Sequence, residues 1–286
     1  MNLKRTLSTI AMAASAMLAI TACSSDATSE EPPKQSFAEG STMARIQSEG
    51  KLVVGVKFDQ PLFGLAGPDG TPVGFDIEIA KMIAHELGVP EDKIEWRETV
   101  SQNREPFIQD GQVDIVVATY TINDTRKEVI DFAGPYYVAG QSFLVPAGNP
   151  KGITSDPASL GDAKVCTVTG STSEKNVREH TKNVITVDKY SDCLEPIRTG
   201  QADALTTDNV ILAGLVSQNG EEFEVVDGTF TEEPYGIGLK KGDEEFQEFI
   251  NTTLETSFED GRWETAWKES VGDVLEMPKP PAIERY

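Results

Sequence analysis

Strand-like and helix-like segments alternate along this chain from residue 51 onward, and this alternation limits the possible folds more than any other feature. A β-branched run at 51–56 precedes apolar residues at helical spacing between Phe75 and Leu87. The run at 113–118 is almost entirely apolar, which is typical of a strand covered on both faces. This order predicts an α/β fold with a mostly parallel sheet and helices on its faces.

The alternation starts again after residue 137, so the chain contains two successive α/β modules. Together they exceed what one core of average size needs. A connecting strand at 234–240 and a helix from Phe246 to Phe258 follow the second module. The strands of that module are predicted at 142–145, 164–168, 184–187, 202–205 and 223–226.

Charge and motif content exclude several classes of protein. The 286 residues carry 47 Asp and Glu against 25 Lys and Arg, and this net charge of −22 would repel the backbone of DNA or RNA. Two His and three Cys are too few for a zinc site at any familiar spacing. No Gly-x-Ser-x-Gly elbow, Walker loop or Gly-x-Gly-x-x-Gly fingerprint occurs. We therefore expect no nucleic-acid partner, no metal, no cofactor and no catalytic residues.

The N-terminus is predicted to be a secretory signal peptide at residues 1–22. Lys4 and Arg5 precede an apolar stretch that is too short for a membrane span, and small residues close it. The motif ITAC at 20–23 resembles the lipobox of bacterial lipoproteins, in which the Cys becomes the first residue and carries the lipid. The alternative is an ordinary cleavage site followed by an unrelated Cys23. We expect lipidation of Cys23, which would hold the protein on the outer face of the cell membrane.

Residues 23–44 are predicted to form a disordered tether between this lipid and the folded part. The stretch 24–40 is rich in Ser, Glu and Pro and has a single aromatic residue, so it cannot bury much apolar surface. Farther along the chain, no stretch of some 18 consecutive apolar residues predicts a membrane span.

Cys166 and Cys193, the two remaining cysteines, fit an oxidising compartment outside the cytoplasm. Cys166 lies in a strand-like run, and Cys193 lies in a helix-like run after Tyr190. In such a compartment a disulfide between them is favoured, and the alternative is a pair of buried thiols. Closing this loop would stabilise the fold by about 3–4 kcal/mol in the chain-entropy model.

Three short polar stretches at the ends of predicted strands could together hold a small zwitterion. Thr119 and Thr121 follow a buried strand, and Arg126 in the next turn could clamp a carboxylate. The stretch 169–174 begins a helix whose free N–H groups could face an anion, and Asp208 could hold an ammonium group. Each stretch alone also fits a plain helix cap. Because ligands of open α/β sheets bind at the carboxyl ends of strands, we expect the three stretches to form one site.

Five motifs are weak singly and specific in combination. They are LVVGVK at 52–57, PLFG at 61–64, GFD at 74–76, T-x-x-x-x-R at 121–126 and DFAGPY at 131–136. With the lipobox, they make the chain resemble the family 3 solute-binding proteins of ABC amino-acid importers, over about residues 45–270.

The resemblance implies two α/β lobes that close around one amino acid. The two hinge strands between the lobes would lie at 138–146 and 234–241. Lobe 1 would comprise 45–140 and 239–286, and lobe 2 would comprise 141–238.

The resemblance also implies ligand-binding roles by position. Asp208 would hold the α-amino group, and Phe63 would pack against the aliphatic part of the ligand. The positions that would hold the α-carboxylate are Arg126, Thr121, Thr119 and the backbone of Thr172. The positions that would face the ligand side chain are Lys57, Arg104 and Tyr190, and the segment 101–104 resembles that of glutamate- and aspartate-binding members.

The resulting prediction is a monomeric binding lipoprotein that captures L-glutamate and delivers it to the permease and ATPase subunits of an ABC importer. Closure of two lobes on a ligand makes and breaks no bond. One alternative is a binding protein for another polar amino acid, aspartate or glutamine. The other is a dehydratase-type enzyme on the same fold.

Overall fold

The computed structural model describes residues 35–272 and 274–286. The predicted signal peptide, the proposed lipid site Cys23 and most of the predicted tether lie outside these residues. The α-helices are α1 Thr42–Glu49, α2 Phe75–Glu86, α3 Arg104–Gln109, α4 Asp124–Lys127, α5 Thr172–Val177, α6 Leu194–Arg198, α7 Asn209–Asn219, α8 Glu244–Asp260 and α9 Arg262–Ser270. Short 3-10 helices include Ser101–Asn103 and Tyr190–Cys193.

The strands form two five-stranded sheets and one small sheet. Sheet 1 has the order β5-β1-β6-β13-β7, and sheet 2 has the order β10-β9-β11-β8-β12. We call each of these sheets, with the helices packed on it, lobe 1 and lobe 2. The strands are β1 Leu52–Val56, β2 Asp59–Gln60, β3 Gly64–Ala66, β4 Pro72–Val73, β5 Ile94–Glu98, β6 Ile115–Val116, β7 Asp131–Ala139, β8 Gln141–Pro146, β9 Val165–Val168, β10 Val184–Val187, β11 Ala204–Asp208, β12 Phe223–Val225 and β13 Glu233–Leu239.

Each large sheet contains one strand that runs against the other four. In sheet 1 this strand is β13, which pairs antiparallel with both β6 and β7. In sheet 2 it is β8, which pairs antiparallel with both β11 and β12. Both reversed strands are the first strands after the chain crosses from the other lobe, so no helical crossover on the same sheet sets their direction. The α/β class and the two lobes are confirmed, and each sheet is of mixed orientation, with four of its five strands running in the same direction.

The chain crosses between the lobes twice. The first crossing is at Gly140, between β7 and β8, and falls inside the predicted hinge segment at 138–146. The second crossing runs through 226–232, between β12 and β13, and so begins before the predicted segment at 234–241. The segment between β1 and α2, which the sequence indicates as a loop, contains the small antiparallel sheet of β2, β3 and β4.

Lobe 1 is centred on a cluster of aromatic rings. Tyr137 stacks on Trp267 with 5.1 Å between the ring centroids, and Phe75 meets the same indole edge-on at 5.3 Å. Burial of side chains of this size contributes about 1.5–3 kcal/mol each to the free energy of folding. We call the following seven residues the aromatic cluster: Phe63, Phe75, Tyr136, Tyr137, Tyr235, Trp263 and Trp267.

Lobe 1 begins closer to the N-terminus than the composition of the predicted tether indicates. Ser41 caps α1 by accepting the backbone N–H of Ala44 at 3.1 Å, and the helix begins at Thr42 rather than after residue 44. Phe37, the single aromatic residue of the predicted tether, packs edge-on against Phe249 with 5.5 Å between centroids. This ring contact, the Ser41 cap and a hydrogen bond from the side chain of Gln47 to the carbonyl of Gln35 at 2.9 Å hold the end of this polar segment.

Lobe 2 carries a disulfide between Cys166 on β9 and Cys193 in the 3-10 helix that follows β10. The S–S distance is 2.08 Å and the Cα atoms are 5.7 Å apart, as the predicted pairing requires. Within residues 35–272 and 274–286, no helix has the length and apolar character needed to cross a membrane. The same residues contain no group of three or more His, Cys, Asp or Glu side chains placed to hold a metal ion.

Candidate functional site

The predicted site residues come together where the two lobes meet. Eight of the nine have 0–6% of their surface exposed, and Thr172 is partly exposed. Lobe 1 contributes Lys57, Phe63, Arg104, Thr119, Thr121 and Arg126, and lobe 2 contributes Thr172, Tyr190 and Asp208. We call the region that these residues enclose the cleft.

Arg126 is held in place by the short helix α4. Asn123 caps this helix by accepting the backbone N–H of Arg126 at 3.0 Å. The guanidinium donates through Nη1 to the carbonyl of Thr121 at 2.7 Å and through Nε to Glu105 at 2.9 Å. Burial, and secondarily Arg104, lower the pKa of Arg126. Arg126 is therefore a buried residue and not a surface arginine beside a helix cap.

Arg104 lies beside Arg126, on the same tyrosine. The guanidinium carbon of Arg104 is 4.2 Å from the ring centroid of Tyr120, and that of Arg126 is 4.7 Å from it. Arg104 is 4% exposed and donates to the carbonyls of Ser101 and Ala118. Among the described residues, no carboxylate forms an ion pair with it. Arg104 thus places a buried positive charge next to the cleft.

Thr119 adopts a left-handed backbone conformation, with φ at 43°. Two side chains hold it there: Asp76 accepts its backbone N–H at 2.8 Å, and Gln60 accepts its hydroxyl at 2.9 Å. Tyr136 donates to the other oxygen of Asp76 at 2.6 Å. Such backbone strain costs about 1–3 kcal/mol and is concentrated at functional sites. Asp76 therefore acts on the cleft through Thr119.

Asp208 is the N-cap residue of α7, but its side chain makes no capping hydrogen bond. Its Oδ2 instead accepts the hydroxyl of Tyr235, in lobe 1, at 2.7 Å. Its Oδ1 is buried and has no hydrogen-bond partner among the described residues. Burial and the nearby Glu233 raise the pKa of Asp208 to about 7, against the opposing effect of Tyr235 and the two arginines. A buried carboxylate oxygen that lacks a hydrogen-bond donor can bind an ammonium group.

Lys57 directly follows β1 of lobe 1 and is 1% exposed. Its Nζ is 3.5 Å from Oδ1 of Asp59 and 5.9 Å from the ring centroid of Tyr190. Burial lowers the pKa of Lys57, and the charge of Asp59 opposes this effect.

Contacts across the cleft show that the two lobes touch. The hydroxyls of Thr121 and Thr172 are 3.5 Å apart, and Lys189 of lobe 2 pairs with Glu98 of lobe 1 at 2.5 Å. Helix α7 approaches lobe 1 so closely at Gly214 that an added Cβ atom would lie 2.4 Å from the carbonyl oxygen of Pro61. The structure is therefore a closed arrangement of the lobes.

Phe63 lies at the boundary between the cleft and the aromatic cluster. Its ring meets four others edge-on with centroids 5.9–6.4 Å apart, and one of these belongs to Tyr235, the partner of Asp208. This ring is therefore part of the lobe 1 core, and it packs on the tyrosine that donates to Asp208.

Several residues that the sequence analysis did not assign support the site, and besides Gln60 and Glu105 four of them stand out. Asp59 contacts Lys57, Asp76 holds Thr119, Tyr235 donates to Asp208, and Glu233 raises the pKa of Asp208. Two signals in the sequence pointed to Asp76: it belongs to the motif GFD at 74–76, and it is an acidic residue within the apolar run GFDIEIA at 74–80. Tyr235 follows the second crossing, and only the pairing of β13 in sheet 1 brings it to Asp208.

Comparison with known proteins gives a consistent picture. The family model for bacterial extracellular solute-binding proteins, family 3, matches residues 52–272, which confirms the resemblance inferred from the motifs. The chain is 38% identical over 260 residues to the ABC transporter glutamine-binding protein GlnH of Bacillus subtilis (strain 168), covering 90% of this chain and 93% of the relative. It is 40% identical over 242 residues to the glutamate-binding protein GluB of Corynebacterium glutamicum, covering 81% of each.

A solved structure with the same fold is that of the ancestral amino-acid-binding protein AncCDT-1, a precursor of cyclohexadienyl dehydratase. The TM-score is 0.73 at 33% sequence identity, and the match covers 80% of this chain and 99% of the other. The two-lobed α/β architecture is thus shared with an amino-acid-binding protein whose lineage leads to an enzyme.

Proposed function

We propose that this chain, which belongs to the bacterial extracellular solute-binding proteins of family 3, captures L-glutamate outside the cytoplasm and delivers it to an ABC importer. The relatives described above, an ABC transporter glutamine-binding protein and a glutamate-binding protein, support a five-carbon amino acid with a polar side chain. The permease and ATPase subunits of such an importer are the proposed partners.

The observation that carries the choice of glutamate is the charge of Arg104. Arg126 already has Glu105 as a counter-charge, whereas Arg104 is buried without an ion-pair partner among the described residues. A buried charge without a partner is costly, and a ligand carboxylate would supply the partner. Glutamate has a carboxylate beyond the one that all amino acids share, and glutamine does not.

The proposed pose follows from the charges around the cleft. The α-carboxylate lies against Arg126, Thr119, Thr121 and the backbone of Thr172. The α-ammonium group meets the free Oδ1 of Asp208. The side-chain carboxylate points to Arg104 and Lys57, beside the ring of Tyr190. Each ligand charge then meets an opposite charge in a region from which water is largely excluded.

Calorimetric titration of the chain from Ser24 onward against the twenty amino acids tests this proposal. Glutamate should bind at least about tenfold more tightly than glutamine, which corresponds to about 1.4 kcal/mol. Aspartate should bind more weakly than glutamate because its shorter side chain does not reach the same cations. Equal or tighter binding of glutamine would contradict the proposed ligand and would favour the glutamine-binding alternative.

An enzyme on this fold is the competing function, because AncCDT-1 is named as a precursor of a dehydratase. Under our proposal the protein binds its ligand without converting it. Incubation with prephenate-like acids should therefore yield no product above that formed in buffer alone, as followed by chromatography. Enzyme-dependent product that disappears in the Asp208→Asn variant would overturn the proposal.

The proposed lipid anchor is tested separately, since Cys23 lies outside the described residues. The mature wild-type protein should fractionate with membranes, and a Cys23→Ser variant should not. A wild-type protein recovered in the soluble fraction would contradict the anchor without affecting the proposed ligand.

A further inference from the structure

The carboxylate of Asp59 makes one contact within lobe 1 and one across the lobes. Its Oδ1 is 3.5 Å from Nζ of Lys57, and its Oδ2 accepts the backbone N–H of Tyr190 at 2.9 Å. Asp59 belongs to β2 of lobe 1, whereas Tyr190 begins a 3-10 helix of lobe 2. The second contact therefore exists only while the lobes touch.

The first contact is a buried and incomplete ion pair. Lys57 is 1% and Asp59 is 7% exposed, and neither Nζ of Lys57 nor Oδ1 of Asp59 has a hydrogen-bond partner among the described residues. A buried ammonium group requires a nearby negative charge, and Asp59 is the carboxylate that pairs with it here. Asp59 thus partly neutralises a cation that the proposed function directs at the ligand side chain.

We propose that Asp59 is a positioning residue that couples closure of the lobes to the charge of the ligand side chain. This inference rests on the proposed function, because it assumes an amino acid in the cleft. One oxygen of Asp59 holds lobe 2 through Tyr190, and the other sets how much positive charge Lys57 presents to the ligand. Loss of the acceptor should therefore speed ligand release, and loss of the charge should alter selectivity.

Two substitutions separate these effects. Asp59→Ala removes both the acceptor and the charge, and ligand release in stopped-flow experiments should be at least about tenfold faster than in the wild type. Asp59→Asn keeps an oxygen that can accept the Tyr190 N–H, so its release rate should stay within about threefold of the wild type. Both variants are titrated with whichever amino acid the wild-type mature chain binds.

Hydrogen exchange at the Tyr190 amide reports on the contact itself. In the ligand-bound wild type and in Asp59→Asn, NMR should show this N–H protected from exchange. In ligand-bound Asp59→Ala it should exchange at least about tenfold faster. A residue that only stabilises lobe 1 would not change the protection of one amide in lobe 2.

The selectivity effect has its own readout. In Asp59→Asn, Lys57 loses the carboxylate that pairs with it, so the ratio of glutamate to glutamine affinity should rise by about fivefold. The glutamate and glutamine dissociation constants are measured by calorimetry on the same preparation.

Two control variants bracket the expected effects. Gly214→Ala places a Cβ atom against Pro61 and should hinder closure, so fast release is expected whatever the state of Asp59. Glu98→Gln removes the cross-lobe ion pair with Lys189, in which both side chains are about one-third exposed, and should change release by less than about threefold.

The outcomes distinguish this inference from the proposed function. If the wild type binds an amino acid, an Asp59→Ala release rate and a Tyr190 protection like those of the wild type overturn the inference alone. An unchanged affinity ratio in Asp59→Asn overturns it as well. A wild type that binds no amino acid overturns the proposed function, and the inference with it.

Discussion

The aromatic cluster of lobe 1 and the cleft beside it exclude water to a similar degree, with opposite kinds of side chain. Phe75 and Tyr235 in the cluster are 0% exposed, and Arg104 and Asp208 at the cleft are 4% and 3% exposed. In the cluster each ring packs on other rings, and Trp263 donates its Nε1 hydrogen to the carbonyl of Tyr136 at 2.9 Å. The cleft is equally dry, but it is lined by charges.

The two regions differ in which buried polar atoms lack a hydrogen-bond partner. The cluster has one buried polar atom without a hydrogen bond, Nε1 of Trp267, and that atom is neutral. At the cleft the buried atoms without a hydrogen-bond partner among the described residues include the phenol oxygen of Tyr120, but most belong to groups that carry charge, on Lys57, Asp59, Asp208 and Glu233. Burying an unpaired charge costs far more than burying an unpaired neutral group. We infer that the cluster stabilises lobe 1, whereas the buried charges of the cleft lower the free energy of unfolding and serve ligand binding.

Arg126→Ala should show the largest effect, because it removes a charged group that every amino acid would contact. The loss of a desolvated partner of the α-carboxylate costs about 2–5 kcal/mol, so affinity should fall by at least about thirtyfold for all ligands. Calorimetry measures the loss. Arg178→Ala, at an arginine whose side chain is 46% exposed, is the control and should bind like the wild type. Wild-type affinity in Arg126→Ala would remove this residue from the site.

The disulfide tests whether stability can be changed away from the charged cleft. A Cys166→Ala/Cys193→Ala double variant should lower the free energy of unfolding by about 3–4 kcal/mol, because the unfolded chain gains freedom. Chemical denaturation measures this change. Titration of the wild type under denaturing, non-reducing conditions should find no free thiol among these two cysteines. Two free thiols would contradict the pairing in the structure.

Phe63 tests the boundary between the two regions, with Phe75 as its matched control. Both Phe63→Leu and Phe75→Leu should lower the free energy of unfolding by about 1–3 kcal/mol, because both rings pack in the cluster. Only Phe63→Leu should also weaken glutamate binding, by about fivefold, since Phe63 packs on the tyrosine that holds Asp208. Equal affinity in the two variants would assign Phe63 to the core alone.

Phe63 also illustrates how far sequence reasoning extends. The periodicity of apolar residues predicts most strands and helices of both lobes, because period and burial are properties of local segments. The placement of Arg126 in the turn that follows a buried strand was likewise accessible from local sequence. The motif PLFG indicates a ring near the ligand, but not that the same ring contacts four others.

Long-range contacts account for most of what the sequence did not reveal. The reversed strands β8 and β13 follow from crossings between lobes, which local patterns do not encode. The contact of Asp59 with Tyr190 joins residues 131 positions apart, and that of Asp76 with Thr119 joins residues 43 apart. Supporting groups of this kind are set by tertiary packing.

Arg104→Ala tests whether the charge of the cleft selects the ligand. The preference for glutamate over glutamine should fall from at least about tenfold to about twofold, because the side-chain carboxylate loses its buried partner. A weak general amino-acid site should remain, since Arg126 and Asp208 are untouched. Arg97→Ala, at an arginine whose side chain is 41% exposed, is the control. An unchanged affinity ratio in Arg104→Ala would remove the main support for glutamate.

The last expected effect is a dependence of binding on pH that originates at Asp208. Burial and Glu233 raise the pKa of this carboxyl to about 7. Its contribution to folding is therefore full below its ordinary pKa near 4 and is lost as the pH rises through about 7. A ligand ammonium group favours the ionised form, so binding lowers the pKa of Asp208 and releases a proton. Glutamate affinity should fall below pH 7, by at most about tenfold per pH unit.

Calorimetry at pH 5.5, 6.5 and 7.5 (about 1.5 units below to 0.5 above the pKa of Asp208), in buffers that differ in ionisation enthalpy, measures both the affinity and the released proton. Burial also raises the pKa of Asp76 to about 7, so a variant is needed to assign the proton. Asp208→Asn should bind weakly and with no slope over this pH range. If the affinity of Asp208→Asn still falls with decreasing pH, the titrating group is not Asp208. The pH dependence would then be assigned to Asp76, which holds Thr119, rather than to the carboxylate that faces the ligand.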